Sequence, residues 1–171
     1  MKRLIALGLS LLVTLPALAK DLNINLALSK IVPHKIQERG EDELYFDIAE
    51  YNQQGLQQFY RIPEKPIHLL SKHLAKVQNF TLWHNSLKEG ESLELIISLI
   101  EEDYTPWELD DLLGDIKLKL KNDHGKLISA WSMPNTTNKG ESLPANAHTE
   151  VRRFIIKEGH SEYQVDLQLS Y

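Results

Sequence analysis

The stretch SLELIISLIEEDYTPWELDDLLGDIKLKL, residues 92–120, sets two apolar runs on either side of an acidic loop. In the first run Leu93, Leu95, Ile97 and Leu99 share one face at period two, while Ile96 and Ile100 add apolar area to the other. In the second, Ile116, Leu118 and Leu120 alternate with Asp115, Lys117 and Lys119, the pattern of a strand with one wet face. Between them Glu101, Glu102, Asp103, Glu108, Asp110, Asp111 and Asp115 crowd together without a Lys or Arg. So many like charges are unfavourable in one loop unless water, a cation or a basic partner compensates them. Two strands joined by a charged loop are the seed of an antiparallel sheet, and the rest of the chain extends it.

Upstream, Leu22, Ile24, Leu26 and Leu28 alternate with polar residues until Pro33 breaks the pattern. A polar turn over 37–43, centred on Gly40, leads to a second strand with Leu44, Phe46 and Ile48 on one face. Residues 52–58 read as a Gln-rich turn, 59–62 as a short strand, and Pro63-Glu64-Lys65-Pro66 as a stiff connection. From 67 to 77 the period changes: Leu69, Leu70, His73, Leu74 and Val77 suit a short helix, with an irregular strand as the alternative. Alternation returns over 79–83. Beyond residue 120, Asn122-Asp123-His124-Gly125 reads as a tight turn into a strand over 126–131. A polar loop over 133–149 follows, then strands over 151–156 and 163–169. Short alternating runs, turn signals between them and no βαβ rhythm predict an all-β fold, an antiparallel eight-stranded β-sandwich with at most one or two short helices.

The N-terminus has its own logic. Met1-Lys2-Arg3 is basic, residues 4–18 are apolar, and Ala17-Leu18-Ala19 is a small-x-small cleavage pattern. Together they predict a signal peptide over 1–19. The competing reading is an uncleaved anchor, for which the apolar run is short. Residues 20–171 then form a single domain of 152 residues, periplasmic or secreted, with no transmembrane segment. The whole chain carries a net charge of −5. Removing Lys2 and Arg3 leaves 17 basic against 24 acidic residues, a net −7, which disfavours nucleic acid as a partner. There is no cysteine, so neither disulfides nor a cysteine-linked lipid anchor can contribute.

Catalytic signatures are absent from the sequence: no HExxH, GxSxG, P-loop or Gly-rich dinucleotide turn occurs. The histidines are scattered, and the spacing of His68 and His73 suits neither a helix face nor a strand face. A hydrolase built on the paired carboxylates remains the competing class. Pro106, Trp107 and Leu109 put apolar bulk inside the acidic loop, where it either meets a partner or folds back on the sandwich end.

Residues 95–103 followed by Asp110-Asp111-Leu112-Leu113-Gly114 resemble the central signature of C2 domains. There a strand ends in alternating acidic residues and an Asp-hydrophobic-hydrophobic-Gly segment opens the next. Residues 40–48 similarly resemble the C2 segment in which Gly and Asp precede an aromatic strand, and Asn79 and Trp83 sit where that family often carries Asn and Trp. The likeness runs in order through residues 22–130, with 163–169 suiting the last strand. It implies a non-enzymatic binding module whose loops at one end hold Ca²⁺ and approach a phospholipid membrane or a protein partner. Carried over by position, the ligands would be Asp42 or Glu43, Glu101, Asp103 and Asp111, with Asp110 in reserve, and Trp107 and Leu109 would touch the membrane or partner. Carboxylates from separate loops suit Ca²⁺ because it takes six to eight hard oxygen ligands. A solvated acidic rim on a calcium-independent interaction domain is the other reading.

Overall fold

The computed structural model describes residues 20–36, 41–103 and 109–171. The expected signal segment 1–19, the Gly40 turn and Trp107 lie outside the described residues. Eleven strands appear in chain order: β1 (Leu22–Lys35), β2 (Glu43–Asn52), β3 (Gly55–Ile62), β4 (Leu69–Leu70), β5 (Phe80–Leu87), β6 (Ser92–Glu101), β7 (Asp111–Asp123), β8 (Lys126–Ser132), β9 (Glu141–Leu143), β10 (Thr149–Glu158) and β11 (Ser161–Ser170). One sheet runs β5-β1-β11-β10-β9 and the other β3-β2-β6-β7-β8, with β4 paired to the start of β2. Every pairing is antiparallel. The molecule is an all-β sandwich.

Alternation decides which face is buried. Along β6, buried and half-exposed positions alternate through all ten residues, with Leu93, Leu95, Ile97 and Leu99 inward. They meet Leu120, Leu118, Ile116 and Gly114 on β7 and, from Leu95 to Leu99, Glu50, Ile48 and Phe46 on β2. The opposing sheet supplies Leu22, Ile24, Leu26, Leu28, Phe154, Ile156, Tyr163, Val165, Leu167 and Leu169. Each fully buried Leu, Ile or Phe side chain contributes about 1.5–3 kcal/mol of transfer free energy, so a core of this size needs no disulfide. The sheets approach closely at Gly114, where a Cβ would lie 3.0 Å from Ile156 Cγ2.

Several details depart from the sequence expectation. Among the described residues eleven strands form rather than eight. β4 and β9 are too short for alternation to register, and the Gln-rich turn over 52–58 contracts so that β3 begins at Gly55. Pro33 does not end β1. The strand continues to Lys35 across register shifts that flank the proline, and alongside Pro33 it pairs only with β11, β5 having ended its pairing at Leu28. A proline missing its N–H is tolerated at such a one-sided, irregular position. Residues 67–77 hold β4 and a 3₁₀ helix, Ser71–Lys76, with Leu74 buried.

Candidate functional site

Strand direction gathers the acidic segments at one end. β1 and β6 rise toward it, β2 and β7 descend from it, and β3 returns to it, so among the described residues 36, 41–42, 63–68, 102–103 and 109–110 all emerge there. This is the convergence that the carry-over from C2 domains requires, but the carboxylates divide into two groups.

Asp42 and Glu101 turn inward. Both are buried, at 0% and 1% exposure. The reason is parity: Glu101 shares the face of Leu95, Ile97 and Leu99 on β6, all of which point to the core. Asp42 accepts a hydrogen bond from the Tyr163 hydroxyl of the opposite sheet. Its backbone is clasped by Ser71, whose Oγ accepts from Asp42 N–H at 3.0 Å and whose N–H donates to Asp42 O at 3.0 Å. Burial, followed by the bond to Asp42 and the nearby Glu101 charge, pushes the Tyr163 phenol far above its ordinary value.

The outward group is tied up differently. Glu102 forms an ion pair with Arg61, lies 2.8 Å from His68 Nε2 and 3.4 Å from Lys65 Nζ. Burial opposes its charge, but hydrogen bonds from His68, Arg61 and Lys65 prevail and hold its carboxyl down at about 2. The Arg61 guanidinium stacks over the Tyr45 ring at 3.8 Å. The Tyr45 hydroxyl donates to Asp110 Oδ2 at 2.8 Å. Burial first, then that bond, raises the Tyr45 phenol well above its usual range. Asp47, opposite Arg61 on β2, is raised by burial against the pull of Arg61. Glu43 comes within 3.7 Å of His68 Nδ1. Asp111, by contrast, opens β7 directly across from Glu101, on the inward-turned face, and is half-buried. Asp42, Glu101, Asp103 and Asp111 each make further interactions.

The six residues expected as ligands are therefore brought to one end without sharing one face. Among the described residues, no three His, Cys, Asp or Glu side chains form a group that could hold a metal ion. Arg61, Tyr45, Lys65 and Tyr163 were not singled out by the sequence, and His68 was weighed only with His73 and set aside on spacing. The clue available was Arg61 at the end of a strand, but its partners lie on other elements.

Apolar side chains stand at the same end. Leu109 is 87% exposed and Ile67 62% exposed, and Ile36 and Leu112 are exposed as well. These come from separate loops and from the start of β7, with acidic residues between them. A depression of about 500 Å³ lies at the opposite end, on the outer face of the β3–β8 sheet, against Tyr51, Ser92, Glu94, Lys119, Ile128 and Ala130. None of the nominated carboxylates lines it.

Comparison with protein-family models and with curated proteins finds no match. Among the described residues, no helix is long and apolar enough to cross a membrane.

Proposed function

We propose that this chain is an exported, non-enzymatic binding module that uses the acidic loop end of a C2-like sandwich to hold a protein partner. The observation that carries the reading is the exposure of Leu109, with Ile67 and Ile36 on neighbouring loops, inside a rim of carboxylates. Exposed apolar side chains within a polar rim are the anatomy of a protein contact. The acidic surround selects a basic surface and repels an anionic bilayer. Glu102 is paired with Arg61 and Asp110 accepts a hydrogen bond from Tyr45, which favours recognition that does not wait for a cation. A photo-crosslinking residue at Leu109, in cells that natively produce the chain, should yield a discrete protein adduct that persists in chelator. Adducts confined to lipid, or lost in chelator, would overturn the reading.

The Glu101–Asp111 pairing supports a calcium-dependent version as the second reading, because like charges directly opposite on adjacent strands invite a compensating cation. It has its own test. Extracellular Ca²⁺ modules bind with Kd of about 10⁻⁴–10⁻³ M, so several millimolar Ca²⁺ should raise the melting temperature above a matched-ionic-strength control if the site forms. Asp103→Asn and Asp111→Asn should each abolish that rise. On the calcium-independent reading wild type shows no rise.

A further inference from the structure

We infer that two copies of this chain associate through the free edge of β3, the strands running antiparallel about a two-fold axis at Gln58. β3 pairs only with β2, so one side of its backbone has no partner among the described residues. Soluble proteins usually blunt such edges with charge, proline or short length. The other edges show these devices in part: β9 has three residues and begins with Glu141, β8 begins with Lys126, and β5 exposes no large apolar side chain. β3 shows none over Gly55–Tyr60. It has no charged residue there, its first five positions are exposed, and Leu56 and Phe59 are 54% and 62% exposed.

The occupant follows from the chemistry of that edge. A two-fold interface brings a patch against itself, so the patch must be self-complementary. Like charges fail that condition, and a chain of net charge −5 repels its copy over most of its surface. The β3 edge meets it. Leu56 and Phe59 supply apolar area, and Gln57 and Gln58 carry amides that donate and accept equally. The charged residue of the strand, Arg61, is turned into its own sheet by Glu102 and Tyr45, with its side chain 11% exposed. Antiparallel pairing would run one sheet through both copies and join Tyr51, Leu56 and Phe59 of each into a seam on the outer face. It also points the two acidic loop ends in opposite directions. On the proposed function, which this consequence alone rests on, the dimer would bridge two partners.

Sedimentation equilibrium on the purified protein should give the mass of two chains at high concentration. Phe59→Lys should halve that mass while leaving the circular dichroism spectrum and melting curve of a folded protein, since the side chain is mostly in solvent. The absence of native cysteine allows a second reading. Gln58→Cys should form a disulfide-linked dimer on mild oxidation, and Ser86→Cys on the β5 edge should not. A monomer at every concentration, a dimer that survives Phe59→Lys, or cross-linking at Ser86 in place of Gln58 would each overturn the inference. None of these readouts involves the loop-end partner, so they stand or fall apart from the proposed function.

Discussion

Asn122→Ala is expected to lower the melting temperature by roughly 6–12 °C, from a loss of about 3 kcal/mol. Asn122 is fully buried at the end of β7. Its Nδ2 donates to Leu87 O at 2.9 Å and to Lys20 O at 2.8 Å, and its Oδ1 accepts from Gly125 N–H at 2.8 Å. Its backbone adds bonds to Glu91 O and from Gly90 N–H. One side chain thus joins the chain start, the end of β5 and the β7–β8 turn. Alanine removes all three side-chain bonds and leaves their backbone partners to find water in a closed end, where each buried orphan costs about 1–3 kcal/mol. Asn122→Asp keeps the acceptor for Gly125 but sets a carboxylate against two carbonyl oxygens, so it should be no milder. Thermal melts of the three proteins decide it. A loss under about 2 °C for alanine would show that the bonds do not carry the closure.

Asn122 also marks where the sequence stops being legible. Asn122-Asp123-His124-Gly125 reads as a turn from local chemistry, and Gly125 does sit at φ 78°, where glycine is favoured. That its first residue fastens Leu87 and Lys20 depends on segments 35 and 102 positions away, which no local pattern records. The strands with one wet face were the legible ones. Leu93 to Leu99 and Ile116 to Leu120 are buried as their alternation implies, because one face of each meets the core and the other meets water. β3 was largely hidden for the converse reason. At the sheet edge most of its positions face solvent, so Gly55-Leu56-Gln57-Gln58 shows no alternation and passes for a turn.

The acidic end was half legible. The clustering of charge at one end followed from strand order. The same parity that buried Leu44 and Leu99 extends to Asp42 and Glu101, so these two belong to the core face, and period two alone could have placed them there. What no local pattern records is the partner Asp42 meets there, Tyr163, 121 residues away. The neutralisation of Glu102 was less accessible still. Arg61, Lys65 and His68 come from β3 and the connection after it, and only folding sets them against the end of β6.

That assembly gives the second large effect expected. Glu102→Gln should cost about 3 kcal/mol near neutral pH and should flatten the acid side of the stability profile. Glu102 is folded with its carboxyl held at about 2, against an ordinary value of 4.5. A carboxylate whose value is depressed by folding contributes stability that is fully present above the unfolded value. In wild type this contribution is therefore complete above about pH 4.5 and is lost as pH falls toward about 2. Glutamine removes the titrating group, so the variant starts lower and loses less across that window. The same lost pairing seen from the other side leaves Arg61, 11% exposed, with its charge beside Tyr45 and its nearest carboxylate gone. Breaking a mostly buried pair from one side costs about 3–5 kcal/mol, the lower end of which agrees with the cost expected here. Lys65, 66% exposed, should contribute little, and Lys65→Ala is the control that separates exposed charge from buried charge. Urea unfolding of wild type, Glu102→Gln and Lys65→Ala, each near neutral pH and at about pH 3, measures the difference. Parallel profiles for wild type and Glu102→Gln between the two conditions would show that Glu102 is not the group holding the loop end together in acid.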